Sequence, residues 1–364
     1  MTQALATRRG TLTIPTFMPD ATRAGVRGVS SADLRGVGVE AVVVNAFHLL
    51  RRPGARVVQG AGGIHRFMDW DRPILSDSGG FQVWSLIRQD PARGVIRDNE
   101  VIFREPSTGE RWNLTPERIV QLQFQLGSDI IVCLDDCTDA DAPLAEQERS
   151  VERTVRWARR SREEFDRQVG QRRDSESPRI LAVVQGGSIE TLRRQCATEL
   201  AAIGFDGYGF GGWPLDADGR LLTDPMRWVA ESLPADAPKH ALGIGRADHV
   251  VSAVALGYSI FDSALPTRDA RHGRLYTFRD GWAERRPAPG DAFYRAVHIL
   301  DAEHRVDHGP IEAGCDCPAC TAHSVAYLHH LFKVGDRSAE RLATLHNLRF
   351  YARLVAALRR PAPG

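Results

Sequence analysis

Short apolar runs that end at a polar residue or a glycine, each followed by a helix-like stretch, recur along most of this chain. The helix-like stretches include Glu146–Val169 and Ile189–Ile203, where apolar residues return at helical spacing. The runs are too short for buried helices and are typical of parallel strands covered by helices. They span Val39–Val44, Ile74–Leu75, Ile130–Leu134, Ile180–Val184, Gly207–Phe210, Ala241–Ile244 and Ser259–Phe261.

The number of these units indicates the fold class. Seven or eight strand–helix units within about 250 residues favour a closed (β/α)₈ TIM barrel over an open doubly wound sheet. We therefore predict an α/β protein in which residues 1–364 form a single TIM-barrel catalytic domain. Residues 1–20 contain one or two strand-like segments, which predict a short N-terminal β cap over the bottom of the barrel.

Polar residues stand directly after five of the apolar runs. In a TIM barrel the chemistry lies at the carboxyl ends of the strands, so these side chains would converge on one mouth. Glycine-rich dinucleotide and nucleoside-triphosphate motifs do not occur, which argues against those two enzyme classes. The five residues are Asn45, Asp77, Asp135, Gln185 and Asp262.

Three cysteines lie within six residues near the end of the chain, at Cys315, Cys317 and Cys320. Thiolates at this spacing can converge on one Zn²⁺, and a histidine such as His346 would complete a tetrahedral Cys₃His set. A closed set of four protein ligands leaves no position for water and is structural. We therefore expect one structural zinc ion per chain, held by a subdomain at residues 274–348 that is inserted before the C-terminal helix.

The fourth metal ligand has several candidates. We favour His346 because it lies on the apolar face of a helix-like stretch, and the adjacent Asn347 could support it from behind. The competing histidines are His323, His329 and His330.

The composition excludes several classes of protein. With 43% hydrophobic and 26% charged residues, the chain resembles ordinary globular proteins. The cysteines outside the cluster, Cys133, Cys137 and Cys196, have no spacing that suggests a disulfide framework. No early segment joins a basic start to an apolar run, and none is long enough to span a bilayer. We expect a cytoplasmic protein without membrane contact. The net charge of +1 means that nucleic-acid binding would require a local basic surface.

Two strand-end motifs carry the chemistry. In Ser76–Gln82, the glycines permit close approach of the backbone to a flat ligand, and Phe81 can stack on it. In Phe261–Arg268, Asp262 is followed by Arg268 and then by Arg271, which suggests an anionic substrate. A single strand-end aspartate is more often a helix cap than a nucleophile, but several in one mouth are not required by packing.

These segments together resemble the tRNA-guanine transglycosylase family, also called queuine tRNA-ribosyltransferases. The resemblance extends from about Gly10 to Arg353, and its segments occur in the family's order. They are Ser76–Gln82, Phe261–Arg268, Val184–Gly187, the C-x-C-x₂-C-x₂₅-H cluster, Asn45–Gly54, Phe67–Leu75 and His346–Tyr351.

The resemblance implies a zinc-containing TIM barrel that exchanges the wobble guanine of tRNA for a 7-deazaguanine. Asp262 would be the nucleophile that forms a ribosyl ester, and Asp77 the general acid and base. Arg268 and Arg271 would contact the anticodon loop, and a homodimer is expected. The residues expected to bind the base or to lie beside the nucleophile are Asp135, Gln185, Gly212, Phe81, Asn45 and Ser78.

The chain departs from the family at Gly211–Ala217, where bacterial members usually read Gly-Gly-Leu-Ala-Val-Gly-Glu. The glutamate is absent, and Trp213 and Pro214 add bulk and stiffness. Because this loop contacts the 7-substituent, three incoming bases remain open, ranked as 7-aminomethyl-7-deazaguanine, queuine and 7-cyano-7-deazaguanine. The alternatives are a paralogue that modifies DNA, a non-catalytic tRNA-binding subunit and a generic zinc nucleic-acid-binding module.

Overall fold

Strands and helices alternate along most of the chain in the computed structural model, which describes residues 4–105, 108–139, 141–171 and 177–361. The strands are β1 (Ala4–Thr7), β2 (Gly10–Thr13), β3 (Thr16–Pro19), β4 (Val42–Asn45), β5 (Ile74–Asp77), β6 (Gly94–Ile96), β7 (Val101–Arg104), β8 (Arg111–Leu114), β9 (Ile130–Val132), β10 (Arg179–Val184), β11 (Gly207–Phe210), β12 (Lys239–Ala241), β13 (Ile260–Ser263), β14 (Arg274–Phe278) and β15 (Tyr294–His298). The helices are α1 (Ser31–Gly36), α2 (Ala46–Arg51), α3 (Ala55–Gly60), α4 (Ile64–Met68), α5 (Gly80–Gln89), α6 (Pro116–Leu126), α7 (Leu144–Val169), α8 (Glu190–Ile203), α9 (Thr223–Ser232), α10 (Ala247–Ala255), α11 (Leu265–Arg271), α12 (Pro318–Ala322), α13 (Val325–Val334) and α14 (Arg337–Leu358).

Eight parallel strands form the central sheet, in the order β3-β13-β12-β11-β10-β9-β5-β4. The two ends of this sheet meet just beyond β3, where Asp20 makes a parallel bridge with Val43 and the Ala21 amide donates to the Val43 carbonyl at 2.7 Å. The sheet is therefore nearly closed, and the predicted (β/α)₈ TIM barrel is confirmed.

The barrel strands are apolar because both of their faces are covered. Every residue of Val42–Val44 and of Ile130–Val132 is buried, as expected for parallel strands between an apolar interior and a layer of helices. Helix α7 shows the outer side of this arrangement, since Val151, Val155 and Ala158 on one face join the core.

The hairpin of β1 and β2 closes the bottom of the barrel. Leu5 and Leu12 pack into the interior beside Ile130 and Leu181. The sequence pattern places residues 1–20 in this cap, whereas Thr16–Pro19 is β3, a strand of the barrel itself. Residues 1–3 lie outside the described residues.

One barrel strand lies earlier in the chain than its apolar run indicates. The run Ala241–Ile244 predicts a strand there, but β12 is Lys239–Ala241. The prediction is wrong because two polar residues, Lys239 and His240, are buried in this strand. The small sheet β6-β7-β8, inserted between α5 and α6, is also not predicted by the strand–helix rhythm.

The C-terminal part adds a hairpin, β14 and β15, and three helices. Its apolar core includes Leu275, Ile299 and Leu328, together with the three clustered cysteines. His346 belongs to the long helix α14, which packs against both α11 and β14. The C-terminal helix therefore connects the cysteine cluster to the helix that follows β13.

Candidate active site

A cavity of about 240 Å³ opens at the carboxyl ends of the barrel strands. Three carboxylates that follow different strands, Asp77, Asp135 and Asp262, line it. Known small-molecule pockets are about 300–1,000 Å³, so this volume suits a single flat base better than a larger ligand. The cavity is also lined by Asn45, Phe81, Gly212, Trp213, His240, Leu242 and Gly243.

Asp77 is held at the end of β5 by its neighbour in β4. Asn45 pairs with Asp77 in register, and its Nδ2 donates to Asp77 Oδ2 at 2.7 Å and to Gln82 Oε1 at 2.9 Å. The Asn45 Oδ1 accepts from the His48 amide at 3.1 Å and caps α2, which fixes the amide orientation. Burial, together with the charge of Asp262, raises the pKa of Asp77 to about 6.

The turn after Asp77 requires glycine. Gly79 has φ 85°, and a Cβ there would lie 2.3 Å from the Phe47 Cβ. A Cβ on Gly80 would lie 3.0 Å from the Asp135 carbonyl oxygen. The two glycines thus allow the start of α5 to approach Asp135 closely.

Asp262 stands at the end of β13 with two hydrogen-bond donors on one oxygen. The His240 Nε2 lies 2.8 Å from Asp262 Oδ1, and the Gly243 amide donates to the same oxygen at 3.1 Å. The Asp262 side chain is 19% exposed, whereas that of His240 is 1% exposed. One side of the Asp262 carboxylate is therefore anchored and the group remains accessible from the cavity.

Asp135 lies on the wall opposite Asp262, with the buried Gln185 beside it. The Gln185 Nε2 donates to Asp135 Oδ2 at 2.6 Å. Burial raises the pKa of Asp135 to about 7, with the Gln185 hydrogen bond opposing the rise and the charge of Asp77 adding to it. Asp135 therefore offers a carboxylate acceptor to a ligand in the cavity, and Gln185 holds that carboxylate in place.

A buried arginine supports this wall from below. Arg193 donates to the carbonyl oxygens of Val184 at 2.6 Å, Gly187 at 2.8 Å and Gly211 at 3.0 Å. Its guanidinium also lies 4.1 Å from the centroid of the Phe210 ring. Burial lowers the pKa of Arg193 to about 10, so it stays charged at neutral pH. Arg193 therefore links the loop after β10 to the loop after β11.

Two aromatic side chains form the rim of the cavity. Phe81 and Trp213 are 40% and 58% exposed, and their rings lie 6.5 Å apart at an interplanar angle of 22°. In the Trp213 loop, the Pro214 carbonyl accepts from the Leu222 amide at 2.9 Å. The Asp216 carboxylate accepts from amides of its own turn. The loop therefore presents an aromatic face and backbone groups to the cavity.

The two predicted tRNA-binding arginines lie on α11, directly after Asp262. Arg268 is exposed and lines a neighbouring cavity of about 350 Å³ together with Arg246 and Arg274. Arg271 is partly buried, and its Nη1 has no hydrogen-bond partner among the described residues. Arg246 and Arg274 are paired with Asp248 and Asp269, whereas Arg268 has no carboxylate within 4.0 Å among the described residues.

Most of the predicted site residues meet in the mouth, but Ser78 and Gln185 are buried and do not line the cavity. The Ser78 Oγ accepts from the Gly80 amide at 3.2 Å. The sequence prediction also missed residues that do line the cavity, notably Asp20, Gln82 and His240. Asp20 follows β3, which the sequence pattern places in the cap, and His240 precedes the apolar run Ala241–Ile244, which predicts β12 too late in the chain.

The cysteine cluster forms apart from the mouth, where Cys315, Cys317, Cys320 and His346 bring their ligand atoms within 4.8 Å of one another. The sulfur atoms lie 3.9, 3.6 and 3.3 Å from His346 Nδ1. A tetrahedral zinc site with ordinary Zn–S and Zn–N lengths has S···N edges of about 3.6 Å. The cluster can therefore hold a metal ion.

The orientation of His346 also fits metal binding. Its Nε2 lies 2.8 Å from the Tyr276 carbonyl oxygen, which leaves Nδ1 for the cluster. Asn347 does not contact His346 from behind; it accepts from the Tyr276 amide at 3.0 Å. The competing histidines stand elsewhere, since His329 bonds to the Ile299 carbonyl and His323 stacks on Tyr327.

In the part of the chain that the structure describes, none of the helices has both the length and the apolar character needed to cross a bilayer.

Comparison with known proteins gives one consistent family. The family model described as queuine tRNA-ribosyltransferase matches residues 2–361. The queuine tRNA-ribosyltransferase of Novosphingobium aromaticivorans is 39% identical over 358 residues, which cover 98% of this chain and 90% of the relative. Those of Shewanella halifaxensis and Syntrophobacter fumaroxidans are each 39% identical and cover 96% and 98% of this chain, and 86% and 88% of the relatives. This chain therefore belongs to the queuine tRNA-ribosyltransferase family.

Proposed function

We propose that this protein is a tRNA-guanine transglycosylase, a pentosyltransferase of queuosine modification that exchanges the wobble guanine of tRNA for a 7-deazaguanine. The observation that carries the proposal is the meeting of Asp77 and Asp262 in one base-sized cavity. The Asp262 carboxylate has one anchored oxygen and remains accessible from the cavity. Asp77 has a pKa near 6, which suits both donation and acceptance of a proton.

In the first half of the reaction, an oxygen of Asp262 attacks C1′ of the target nucleotide while the C1′–N9 bond breaks. Asp77 gives its proton to the departing guanine, and the products are neutral guanine and a ribosyl ester of Asp262. In the second half, N9 of the incoming base displaces the ester, and its proton passes to Asp77. Two inversions at C1′ leave the configuration retained, as in retaining glycosidases.

Recognition of the base is assigned to the wall opposite the nucleophile. Asp135 accepts from the guanidine-like edge of the base, and the free N–H of Gln185 donates to its carbonyl oxygen with the Gly212 amide. Phe81 stacks on the ring at the rim, and Asn45 orients Asp77 beside the nucleophile. Ser78 supports the turn that carries these groups.

The choice of incoming base is inferred from Pro214. Proline has no N–H, so the Trp213–Pro214 peptide can accept a hydrogen bond through its carbonyl but cannot donate one. A protonated aminomethyl group is a donor, whereas a nitrile is only an acceptor. We therefore rank 7-aminomethyl-7-deazaguanine first, queuine second and 7-cyano-7-deazaguanine third.

The polynucleotide partner is assigned to the anticodon loop of tRNA. Arg268 and Arg271 supply cations next to the nucleophile, although the net charge of the whole chain is only +1. The target guanine must leave the base stack to reach the cavity, which costs a few kcal/mol and is easiest in a loop.

We assign one structural zinc ion to Cys315, Cys317, Cys320 and His346, with residues 274–348 as a subdomain of a single catalytic domain. These residues would hold the ion between α14, which carries His346, and the segment of Cys315 to Cys320, and the ion would have a structural role. Native mass spectrometry should show one zinc per chain in the wild type and none in Cys317→Ser. A Cys317→Ser variant that keeps both its zinc and its unfolding free energy would contradict this assignment.

A homodimer and a cytoplasmic location complete the proposal. The C-terminal part exposes the apolar side chains of Leu300, Val306, Tyr327 and Val334, which a subunit contact would bury. None of the six cysteines is in a disulfide, as expected in a reducing compartment. Light scattering during gel filtration gives the mass of the particle and tests the dimer.

The function is tested by guanine exchange with each of the three bases, on tRNA, duplex DNA and single-stranded DNA. We expect incorporation into tRNA, most rapidly with the aminomethyl base, and none with Asp262→Asn. Incorporation into DNA alone would overturn the tRNA assignment. Tight tRNA binding by folded wild-type protein without exchange would instead identify a non-catalytic subunit.

A further inference from the structure

His240 contacts the nucleophile Asp262 but transfers no proton in either half of the proposed reaction. On the basis of the proposed function, we infer that His240 is a positioning residue that binds Oδ1 of Asp262. It leaves Oδ2 to form the ester and speeds breakdown of that ester by the incoming base. His240 does not touch the reacting atoms and acts through Asp262.

The sheet brings the two side chains together. Strands β12 and β13 are parallel neighbours, with His240 opposite Ile260. Side chains two residues apart on a strand share a face, so Asp262 points to the same side as Ile260, whose side chain fills the barrel interior. Both His240 and Asp262 therefore line the cavity, and the His240 ring is almost fully buried.

The burial of the ring indicates which nitrogen carries the proton. His240 Nδ1 is buried and has no hydrogen-bond partner among the described residues. A proton on Nδ1 would have no acceptor there, which is unfavourable. Because the carboxylate oxygen Oδ1 accepts at 2.8 Å, the N–H is assigned to Nε2.

Both donors, His240 Nε2–H and the Gly243 amide, act on Oδ1. Oδ2 is then the oxygen that bonds to C1′, and Oδ1 becomes the carbonyl oxygen of the ester. When the incoming base forms its N9–C1′ bond, the C1′–Oδ2 bond breaks and its electron pair returns to the carboxylate. Donors on Oδ1 stabilise the negative charge that develops in this step.

The same donors also stabilise the free carboxylate before it attacks. Their loss should therefore slow breakdown of the ester more than its formation. A general disturbance of the barrel mouth would slow both steps alike, so the ratio of the two rate constants distinguishes positioning from packing.

The test uses three variants of the full-length protein. His240→Gln keeps an N–H at the distance of Nε2, His240→Asn is too short to reach Asp262, and His240→Phe fills the space without a donor. The matched control is His65→Asn, because His65 Nε2 lies 2.9 Å from buried Asp129 at the bottom of the barrel, away from the mouth.

The ester is first formed on an anticodon stem-loop RNA without incoming base. Its breakdown is then followed after addition of 7-aminomethyl-7-deazaguanine at constant pH. We expect breakdown to slow by about ten- to a hundredfold in His240→Asn and His240→Phe, the effect of losing one hydrogen bond to a charged group. Formation should slow by less than threefold, and His240→Gln should lie within about fivefold of the wild type in both steps.

Equal slowing of both steps, or breakdown at the wild-type rate in His240→Asn, would overturn the role of His240. The conservative pair of Gln and Asn keeps the test decisive if His240→Phe does not fold. Failure of the proposed function looks different, since the wild-type protein would then form no ester at all. His65→Asn is expected to leave both rate constants unchanged.

Discussion

Three aspartates share the barrel mouth, but their surroundings give them different properties. Asp262 receives two donors on one oxygen, Asp77 receives donors from Asn45 and from the Gly79 amide, and Asp135 receives one from Gln185. Burial raises the pKa of Asp77 to about 6 and that of Asp135 to about 7. Carboxylates that are costly to ionise in the fold indicate selection for function at the expense of stability.

Replacing Asp135 by asparagine should stabilise the protein at high pH. A folded pKa near 7 against about 3.9 in the unfolded chain means that the wild type loses stability as the pH rises from about 4 to 7. We expect Asp135→Asn to raise the free energy of unfolding by about 2–4 kcal/mol at pH 8 and by much less at pH 5. Urea unfolding at both pH values measures this, with exposed Asp141→Asn as the control.

If Asp135→Asn raised the free energy of unfolding equally at both pH values, the gain would not arise from the raised pKa of Asp135. The variant should also lose most of its affinity for guanine, because a neutral amide cannot accept from the whole guanidine-like edge. Isothermal titration with guanine checks this second consequence.

The raised pKa of Asp77 predicts opposite pH dependences for the two half-reactions. Formation of the ester needs a protonated Asp77 and should slow as the pH rises above about 6. Breakdown by the incoming base needs the ionised form and should slow as the pH falls below about 6. Single-turnover rates from pH 5 to 8 test this, and a formation rate that does not change over that range would exclude Asp77 as the acid.

Individual site residues were predictable where a polar side chain directly follows an apolar run. Asp77, Asp135 and Gln185 were found in this way. His240 was not predictable in this way, because it lies inside a strand that begins with two polar residues, Lys239 and His240. Asp20 was missed because β3 is short and follows a hairpin with a similar pattern.

At the level of elements, helix α14 connects the metal cluster to the substrate side of the barrel. It carries His346, and the next residue, Asn347, bonds to three backbone groups on neighbouring elements. Asn347 accepts from the Tyr276 amide and donates to the carbonyl oxygens of Pro266 and Arg274, at 2.9–3.0 Å. Pro266 lies on α11, two residues before Arg268, so the position of that arginine depends on α14.

Asn347→Ala should therefore weaken both the fold and tRNA binding. Loss of three buried hydrogen bonds predicts a fall of about 2–4 kcal/mol in the free energy of unfolding. Affinity for the stem-loop RNA should fall while affinity for free guanine does not change, because Asp135 and Gln185 lie on other elements. Denaturant titration and the two binding assays measure these effects. An equal loss of both affinities would show that Asn347 does not act on RNA binding through the position of Arg268.

Elements were predictable where local pattern and tertiary environment agree. The amphipathic stretch Ile189–Ile203 is helix α8, and the run Gly207–Phe210 is strand β11. The three-stranded insert of β6, β7 and β8 was not predictable from the rhythm of the barrel, because its short strands pair with one another and not with the barrel sheet.

At the scale of the whole molecule, a nearly neutral chain must bind a polyanion through one local surface. The charge beside the mouth comes from α11 and from the loop after β12, where Arg268 and Arg246 face the same cavity. Arg246 is paired with Asp248, whereas no carboxylate lies within 4.0 Å of Arg268 in the described part of the chain. Arg268 is therefore the cation most available to a phosphate.

Arg268→Ala should weaken binding to all RNA stem-loops alike. Loss of one phosphate contact predicts a slope of log K against log salt that is shallower by about 0.7–0.9. Fluorescence titrations at several salt concentrations measure the slope, with exposed Arg159→Ala on α7 as the control. A slope that stays unchanged would show that Arg268 does not contact a phosphate.

The barrel as a whole was predictable because the strand–helix unit repeats along the chain. Closure of the sheet gives every strand a neighbour on both sides. The position of the cysteine cluster in space did not follow, because the spacing of Cys315, Cys317 and Cys320 fixes only their mutual geometry. Its link to the mouth depends on α14, whose packing against α11 joins parts of the chain that are distant in sequence.

The proposed reaction begins with the attack of Asp262 on the ribose of a tRNA nucleotide. The most direct test is to mix the protein with an anticodon stem-loop RNA without incoming base, denature it, digest it and identify the RNA-linked peptide by mass spectrometry. The proposed mechanism predicts one ribosyl ester, on Asp262, that is absent from Asp262→Asn. An ester on another residue, or one that persists in Asp262→Asn, would contradict it.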